Sequence, residues 1–281
     1  RPWRSLLFVP LSGERFLAKA HQRGADAVQL DLEDSVAPEA KPAARARLPS
    51  AVDQLVAHGI DVVVRINSGW LDALDDLKAA VRPGVAAINI PKVEDAARVR
   101  TIAAMIGELE VRAGLPLGGI ALLLLIESPA ALPRLAEIAT ASARTVALTL
   151  GPEDYALAAG CSTDDDALAL PNQLVAQAAA AAGLRPLGFI GSIGDFADLD
   201  AFRQRIRRAR RLGFVGAAVI HPAQVAICNE EFAPSADELA WAQAVRDAAT
   251  SASARGEAAF AVAGRMIDPP VLQRALRLLG G

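Results

Sequence analysis

Residues 120–154 read IALLLLIESPAALPRLAEIATASARTVALTLGPED. An aliphatic run, Ile120 to Ile126, stops abruptly at Glu127-Ser128, and a second run, Thr145 to Leu150, stops at Gly151-Pro152-Glu153-Asp154. Between them lies an alanine- and leucine-rich stretch long enough for a crossover helix. Two short apolar strands joined in this way make a βαβ unit.

The same alternation extends outward in both directions. Before it come the runs Leu6 to Val9, Ala27 to Leu30, Val62 to Ile66 and Ala86 to Ile90; after it come Leu187 to Ile190 and Ala217 to Ile220. Eight strands with room for a helix in each interval predict an α/β fold, a (β/α)8 TIM barrel, over an open doubly wound sheet, whose dinucleotide glycine fingerprint is missing. The longest interval is expected to hold an extra helix, Pro171 to Ala182, after the acidic stretch Asp164 to Asp166, which reads as a solvated helix entry. The barrel domain is assigned to 1–234 and a C-terminal helical extension to 235–281. In the extension Ser235 opens a helix running through Trp241, Gly256 breaks it, and Val271 to Leu279 forms a last helix. This tail has no partner inside a complete barrel, so it is expected to cap a barrel end or reach a neighbouring subunit.

Composition narrows the function. Hydrophobic residues are 53% of the chain and charged residues 22%, enough to bury a sizeable core and too apolar for disorder. Twenty-nine basic against 32 acidic residues give a net charge of -3, with no polybasic segment, so no nucleic-acid partner is expected. Cys161 and Cys228 are too few for a disulfide framework and lack metal-ligand spacing. The longest aliphatic run is far short of a membrane span. A soluble, cytoplasmic protein without a membrane partner is expected.

Barrel chemistry sits where strands end, so the residues following each apolar run are the candidates. Glu127 and Asp154 follow adjacent strands and would stand side by side at one rim. Two hard oxygen donors without a third histidine suit Mg²⁺, which keeps several waters; Mn²⁺ fits the same donors. The competing reading is that each carboxylate merely caps the following helix. Arg65, inside Val62-Val63-Val64-Arg65-Ile66, needs an anionic partner: either a substrate carboxylate or an internal ion pair with Asp31 or Glu33. Asp31 and Glu33 in turn either orient metal-bound water or supply the acidic half of that pair. Lys92 is the one lysine placed to face the rim, a Schiff-base nucleophile or, more commonly for a lysine among acids, a charged partner. Gly151, Pro152 and Glu153 are candidate substrate contacts. His221 is either a general base or the holder of the last loop.

Eight motifs in order carry a resemblance over nearly the whole chain: Arg4-Ser5-Leu6-Leu7-Phe8-Val9-Pro10, Asp31-Leu32-Glu33-Asp34-Ser35-Val36, Val64-Arg65-Ile66-Asn67, Ile90-Pro91-Lys92-Val93-Glu94, Leu125-Ile126-Glu127-Ser128, Gly151-Pro152-Glu153-Asp154, Ile220-His221-Pro222-Ala223-Gln224 and Met266-Ile267-Asp268. With them the sequence resembles the citrate lyase beta-subunit-like proteins of the HpcH/HpaI aldolase superfamily, which includes malyl-CoA and citramalyl-CoA lyases. The resemblance implies a metal-dependent carbon–carbon lyase in which Glu127 and Asp154 ligate Mg²⁺ and Arg65 binds the oxyacid. It further implies that Asp268, reaching a site from the adjacent subunit's tail, handles a proton, and that the chain is a homotrimer or a dimer of trimers. Small-molecule partners would be a 2-oxo acid and a coenzyme A thioester, with Arg15 and Lys19 as candidates for the coenzyme's phosphates. Two departures bear on how the coenzyme or acyl-carrier arm is held: Leu11 stands where relatives have glycine, and Gly216-Ala217 where many have Gly-Lys. The expected reaction is reversible cleavage of a carboxylated 3-hydroxyacyl-CoA to acetyl-CoA and a 2-oxo acid. The alternatives are a 4-hydroxy-2-oxo acid aldolase, a citrate lyase beta subunit acting on an acyl-carrier thioester, and a non-catalytic scaffold.

Overall fold

The computed structural model describes residues 3–12, 14–254 and 258–280. The chain divides into two units, Arg1–Phe232 and Ala233–Gly281.

The first unit alternates strands and helices: β1 (Ser5–Pro10), α1 (Glu14–Ala20), β2 (Ala27–Asp31), α2 (Lys41–Val56), β3 (Asp61–Arg65), α3 (Trp70–Ala80), β4 (Val85–Ile90), α4 (Ala96–Arg112), β5 (Ala121–Ile126), α5 (Leu135–Ala139), β6 (Thr145–Leu150), α6 (Pro152–Ala159), α7 (Asp165–Ala181), β7 (Arg185–Leu187), α8 (Leu199–Arg211), β8 (Ala217–Val219) and α9 (Pro222–Glu231). All neighbouring strands in the order β7-β6-β5-β4-β3-β2-β1-β8 pair in parallel. The sheet closes on itself between β7 and β8 through a single parallel bridge, Leu187 to Gly216, with Gly188 N–H donating to the Gly216 carbonyl at 2.8 Å and Val215 N–H to the Pro186 carbonyl at 3.0 Å. This is the expected TIM barrel.

Period-two alternation explains both faces of the wall. In β5, Leu122, Leu124 and Ile126 pack outward among the helices, whereas Leu123 joins an inner core with Trp3, Leu6, Val63 and Leu187. Each such fully buried side chain stabilises the fold by about 1.5–3 kcal/mol. Gly216 is required by contact: a Cβ there would lie 1.9 Å from the Trp3 carbonyl oxygen. Ala217 beside it is fully buried in the outward-facing core at the start of β8, and Leu11 is buried in the same core. Neither departure from the family pattern therefore removes a side chain from the barrel mouth.

Two elements differ from expectation. The seventh strand is Arg185–Leu187, not Leu187 to Ile190; Phe189 and Ile190 are buried after the strand, Phe189 meeting Phe202 of α8 edge-on at 5.3 Å. Their apolar character reports burial rather than pairing. The extra helix starts at Asp165, with Asp164 accepting the Ala167 N–H at 2.9 Å as its N-cap, and carries Pro171 in its interior.

The second unit holds α10 (Ala236–Ala254), a two-stranded antiparallel hairpin of β9 (Phe260–Val262) and β10 (Arg265–Ile267), and α11 (Pro269–Leu278). Ser235 and Glu238 exchange hydrogen bonds at the α10 start. Ala242, Val245, Ile267 and Ala275 form its small core. Gly256, expected to break the helix, lies outside the described residues. The hairpin was not expected from sequence. No helix among the described residues is long and apolar enough to cross a membrane.

Candidate active site

Arg65 ends β3 with its side chain inside the barrel mouth. Its Nε donates to Asp31 Oδ1 at 2.6 Å and its Nη2 to Asp31 Oδ2 at 2.7 Å, while Nη1 lies 2.8 Å from Glu33 Oε2. Both sequence-level partners thus meet the guanidinium at once. Asp31 is itself fixed by the backbone N–H groups of Glu33 (3.1 Å) and Ser35 (3.2 Å). Burial works to raise the Asp31 carboxyl, and the bidentate bond to Arg65 overcomes it, holding it below the usual range. Two anions pin Arg65 as a cation against its own burial. Asp31 takes the Nε–Nη2 edge and Glu33 stands against Nη1, so each Nη nitrogen keeps one further hydrogen for another carboxylate.

Glu127 follows β5 and is 5% exposed. Its Oε2 accepts the Lys92 N–H at 2.7 Å, a bond made possible by the left-handed Lys92 backbone (φ 51°), a strained conformation for a residue with a Cβ. Burial, then the charge of Glu33, pushes the Glu127 carboxyl up to about 8; Asp154 pushes it the same way. Burial likewise raises Glu33 to about 7. The Lys92 ammonium stands 3.4 Å from Glu33, 3.6 Å from Asp34 and 4.0 Å from Asp154. These carboxylates keep Lys92 above its ordinary value although partial burial opposes them. The rim is therefore acidic in excess of its two cations.

Gly151 lets β6 approach Glu127. A Cβ at Gly151 would lie 2.6 Å from Glu127 Cγ and 2.7 Å from Oε1. Gly151, Pro152, Glu153 and Asp154 line, with Arg65 and Glu127, one cavity of about 450 Å³. Ser192 donates to Glu153 across it from the loop after β7. Arg15 and Lys19 lie exposed on α1; Arg15 stacks over Phe16 at 4.9 Å, and Phe16 lines an adjoining recess with Arg65 and Asp31. Asp268 belongs to the second unit, where its carboxylate caps α11 by accepting the Val271 N–H at 3.1 Å. His221 holds the last loop: its Nδ1 accepts the Ala223 N–H at 3.2 Å and its ring stacks on Phe196 at 5.3 Å.

Of the residues at the site, Asn67 stood in a quoted motif without a role, and Asp76, Gln29 and Asn89 were not singled out from sequence. Asn67 Nδ2 donates to the Leu32 carbonyl (2.8 Å) and to fully buried Asp76 (2.7 Å), while Lys41 bonds its Oδ1; together they join the segments that follow β2 and β3. Gln29 and Asn89 line the cavity, joined by Asn89 Nδ2 donating to Gln29 Oε1 at 3.0 Å. Both interrupt apolar runs at inward-facing positions, a signal legible in the sequence.

The donor set suits a hard divalent cation. It offers carboxylate oxygens only, Glu127 in a cradle that an alanine at 151 would fill, and Asp154 36% exposed and so open to solvent. Among the described residues no three His, Cys, Asp or Glu side chains form a ready-made cage, so such an ion would complete its shell with water or substrate.

Fold and site together define a (β/α)8 barrel protein with a hard-oxygen, arginine-bearing centre at its mouth. The chain belongs to the HpcH/HpaI aldolase/citrate lyase family, whose pattern matches residues 4–222. It is 34% identical to the citrate lyase subunit beta of Escherichia coli K12, over 99% of this chain and 93% of that protein. It is 36% identical to the L-malyl-CoA/beta-methylmalyl-CoA lyase of Cereibacter sphaeroides, over 98% and 93%. The crystal structure of CitE from Mycobacterium tuberculosis, in complex with magnesium, acetoacetate and coenzyme A, superposes with a TM-score of 0.76 at 31% identity, covering 99% of this chain and 97% of that one.

Proposed function

We propose that this chain is a Mg²⁺-dependent carbon–carbon lyase cleaving a carboxylated 3-hydroxyacyl-CoA, of the malyl-, citramalyl- or citryl-CoA type, to acetyl-CoA and a 2-oxo acid. The observation that carries this reading is one cavity lined together by Arg65, Glu127 and Asp154. Glu127 and Asp154 hold the metal in this reading. Bound there, Mg²⁺ supplies Lewis-acid stabilisation of negative charge developing on the reacting oxygen.

Arg65 fixes the substrate's carboxylate with the Nη hydrogens that Asp31 and Glu33 leave, and those two anions keep the guanidinium aimed and charged. The hydroxyl gives its proton to a solvent water, its oxygen becomes the keto group, and the electron pair of the breaking bond passes to the thioester enolate. Asp268 of an adjacent subunit returns a proton to the enolate carbon, or removes one in the condensing direction. Arg15 and Lys19 meet the coenzyme's phosphates, and Gly151, Pro152 and Glu153 contact the acid. The same reading has the protein cytoplasmic, as a homotrimer or dimer of trimers.

The test measures acetyl-CoA released from malyl-CoA, citramalyl-CoA and citryl-CoA, with Mg²⁺ and with EDTA, for the wild type and Asp268→Ala. Metal-dependent release from one thioester, lost in the variant, is expected. No release from any thioester by folded, metal-loaded protein would overturn the reading.

A further inference from the structure

The charged groups lining the cavity, Asp34, Arg65, Glu127, Glu153 and Asp154, all follow or end strands, at its mouth. Its far end is different. There the lining is Leu6, Leu123, Leu187 and Ala218, with Thr149, in register with Leu187, the one hydroxyl beside them; the three leucines belong to the inner core with Trp3, which precedes β1 at the opposite end of the barrel. Between mouth and floor sits the Gln29–Asn89 pair, 1% and 2% exposed. Its one internal hydrogen bond leaves Gln29 Nε2 and Asn89 Oδ1 without partners. Turning both amides over exchanges the roles and still leaves one donor and one acceptor. Such a pair is neutral: its spare amide N–H can hydrogen-bond a ligand oxygen, but it brings no positive charge to balance a buried carboxylate.

A carboxylate pushed below Arg65 would be desolvated without a cation of its own, which is costly. Arg65 cannot serve it, since Asp31 holds its Nε and Nη2, Glu33 stands 2.8 Å from Nη1, and in the lyase reading the Nη hydrogens left over meet the acid's C1 carboxylate. An alkyl group there exchanges water for leucine and alanine surface, which is favourable.

We propose that the cavity floor is a substituent subsite, and that the 2-oxo acid made or consumed carries a neutral alkyl group on its keto carbon, as 2-oxobutyrate does, rather than a second carboxylate. The inference rests on the lyase reading for its reaction. In the condensing direction the acetyl thioester loses an α-proton to a base, its α-carbon pair attacks the keto carbon, and the carbonyl π pair moves to oxygen, which takes a proton. The alkyl group is a spectator held by the floor.

Two acids make the comparison sharp, because 2-oxobutyrate and oxaloacetate differ by a terminal methyl against a terminal carboxylate. Condensation with acetyl-CoA in MgCl2, read by mass spectrometry of the acyl-CoA product, is expected to give kcat/KM for 2-oxobutyrate at least tenfold above oxaloacetate and no lower than glyoxylate. Ala218→Leu, which fills the floor, is expected to lower the 2-oxobutyrate to glyoxylate ratio about tenfold. Oxaloacetate preferred by the wild type, or a ratio unmoved in a folded Ala218→Leu protein, overturns the subsite. Calorimetric binding of the same acids in MgCl2 without thioester separates the two readings. Tighter binding of 2-oxobutyrate than oxaloacetate without turnover keeps the subsite and sinks the lyase; turnover with the reverse order does the opposite; no binding and no turnover sinks both. If Ala218→Leu fails to fold, the wild-type ranking alone still decides.

Discussion

Gly151 shows how one missing methyl group shapes the centre. Its φ of -91° is open to any residue, so conformation does not demand glycine; the 2.6 Å approach to Glu127 does. Gly151→Ala is therefore expected to fold normally while displacing the Glu127 carboxylate. Titration calorimetry should find Mg²⁺ bound about 10- to 100-fold more weakly, the loss typical of disturbing a ligand's support, with the thermal midpoint little changed. Arg65 teaches the complementary point about reading sequences. A guanidinium in an apolar run announced a buried anion, and two alternatives were visible for it. Geometry made both compatible, because Asp31 and Glu33 together still leave Nη hydrogens for a further carboxylate. Sequence could not show this, since edge use depends on the relative rotation of β2 and β3.

At the level of elements, Glu110 near the end of α4 organises the approach to β5. Fully buried, it accepts the N–H groups of Gly118 and Ile120 at 2.9 Å and two guanidinium bonds from Arg144 at 2.9 and 2.6 Å. Burial opposes its charge, but the Arg144 bonds prevail and pull the carboxyl down to about 2. A depressed carboxyl contributes stability above its unfolded value near 4.5, and that contribution disappears as pH falls toward 2. Glu110→Gln should cost about 3–5 kcal/mol at pH 7, and urea melts from pH 7 to pH 3 should show the wild-type advantage shrinking. Equal losses at both pH values would refute the assignment. Elements were otherwise legible where periodicity was long: all but one of the eight strands stand where expected, the exception being β7, which shares only Leu187 with its expected run. The exceptions have local causes. Pro171 reads as a helix start but is tolerated inside α7, and the β9–β10 hairpin has strands of three residues, too short for alternation to register.

For the molecule as a whole, the proposed sharing of Asp268 between subunits makes a prediction that no single chain can satisfy. Glu127→Gln protein and Asp268→Ala protein should each be inactive alone. Unfolded together and refolded as mixed trimers, they should recover about one quarter of wild-type activity, because a site needs an intact barrel from one subunit and an intact tail from its neighbour, each with even odds. Light scattering should then give three or six times the 29.3 kDa chain mass. Recovery absent from demonstrably mixed trimers would place each Asp268 with its own barrel. The candidate site was the most legible feature at this scale, since a barrel gathers strand ends into one rim. What sequence could not supply was the cavity floor, whose depth follows from how eight strands tilt together.

The seam between β7 and β8 has a kinetic consequence. Strands of three residues joined by one bridge form the thinnest part of the wall, whereas β5 and β6 share five register pairs. Opening that joint breaks few bonds, so the Gly188 and Val215 amides should exchange with deuterium sooner than those of β5. The loop leaving β7 carries Ser192, bonded to Glu153, and Ile193, which lines the cavity. A molecule bound against that loop would thus slow exchange at the seam more than elsewhere in the sheet, so the barrel's weakest joint would act as its own reporter of occupancy.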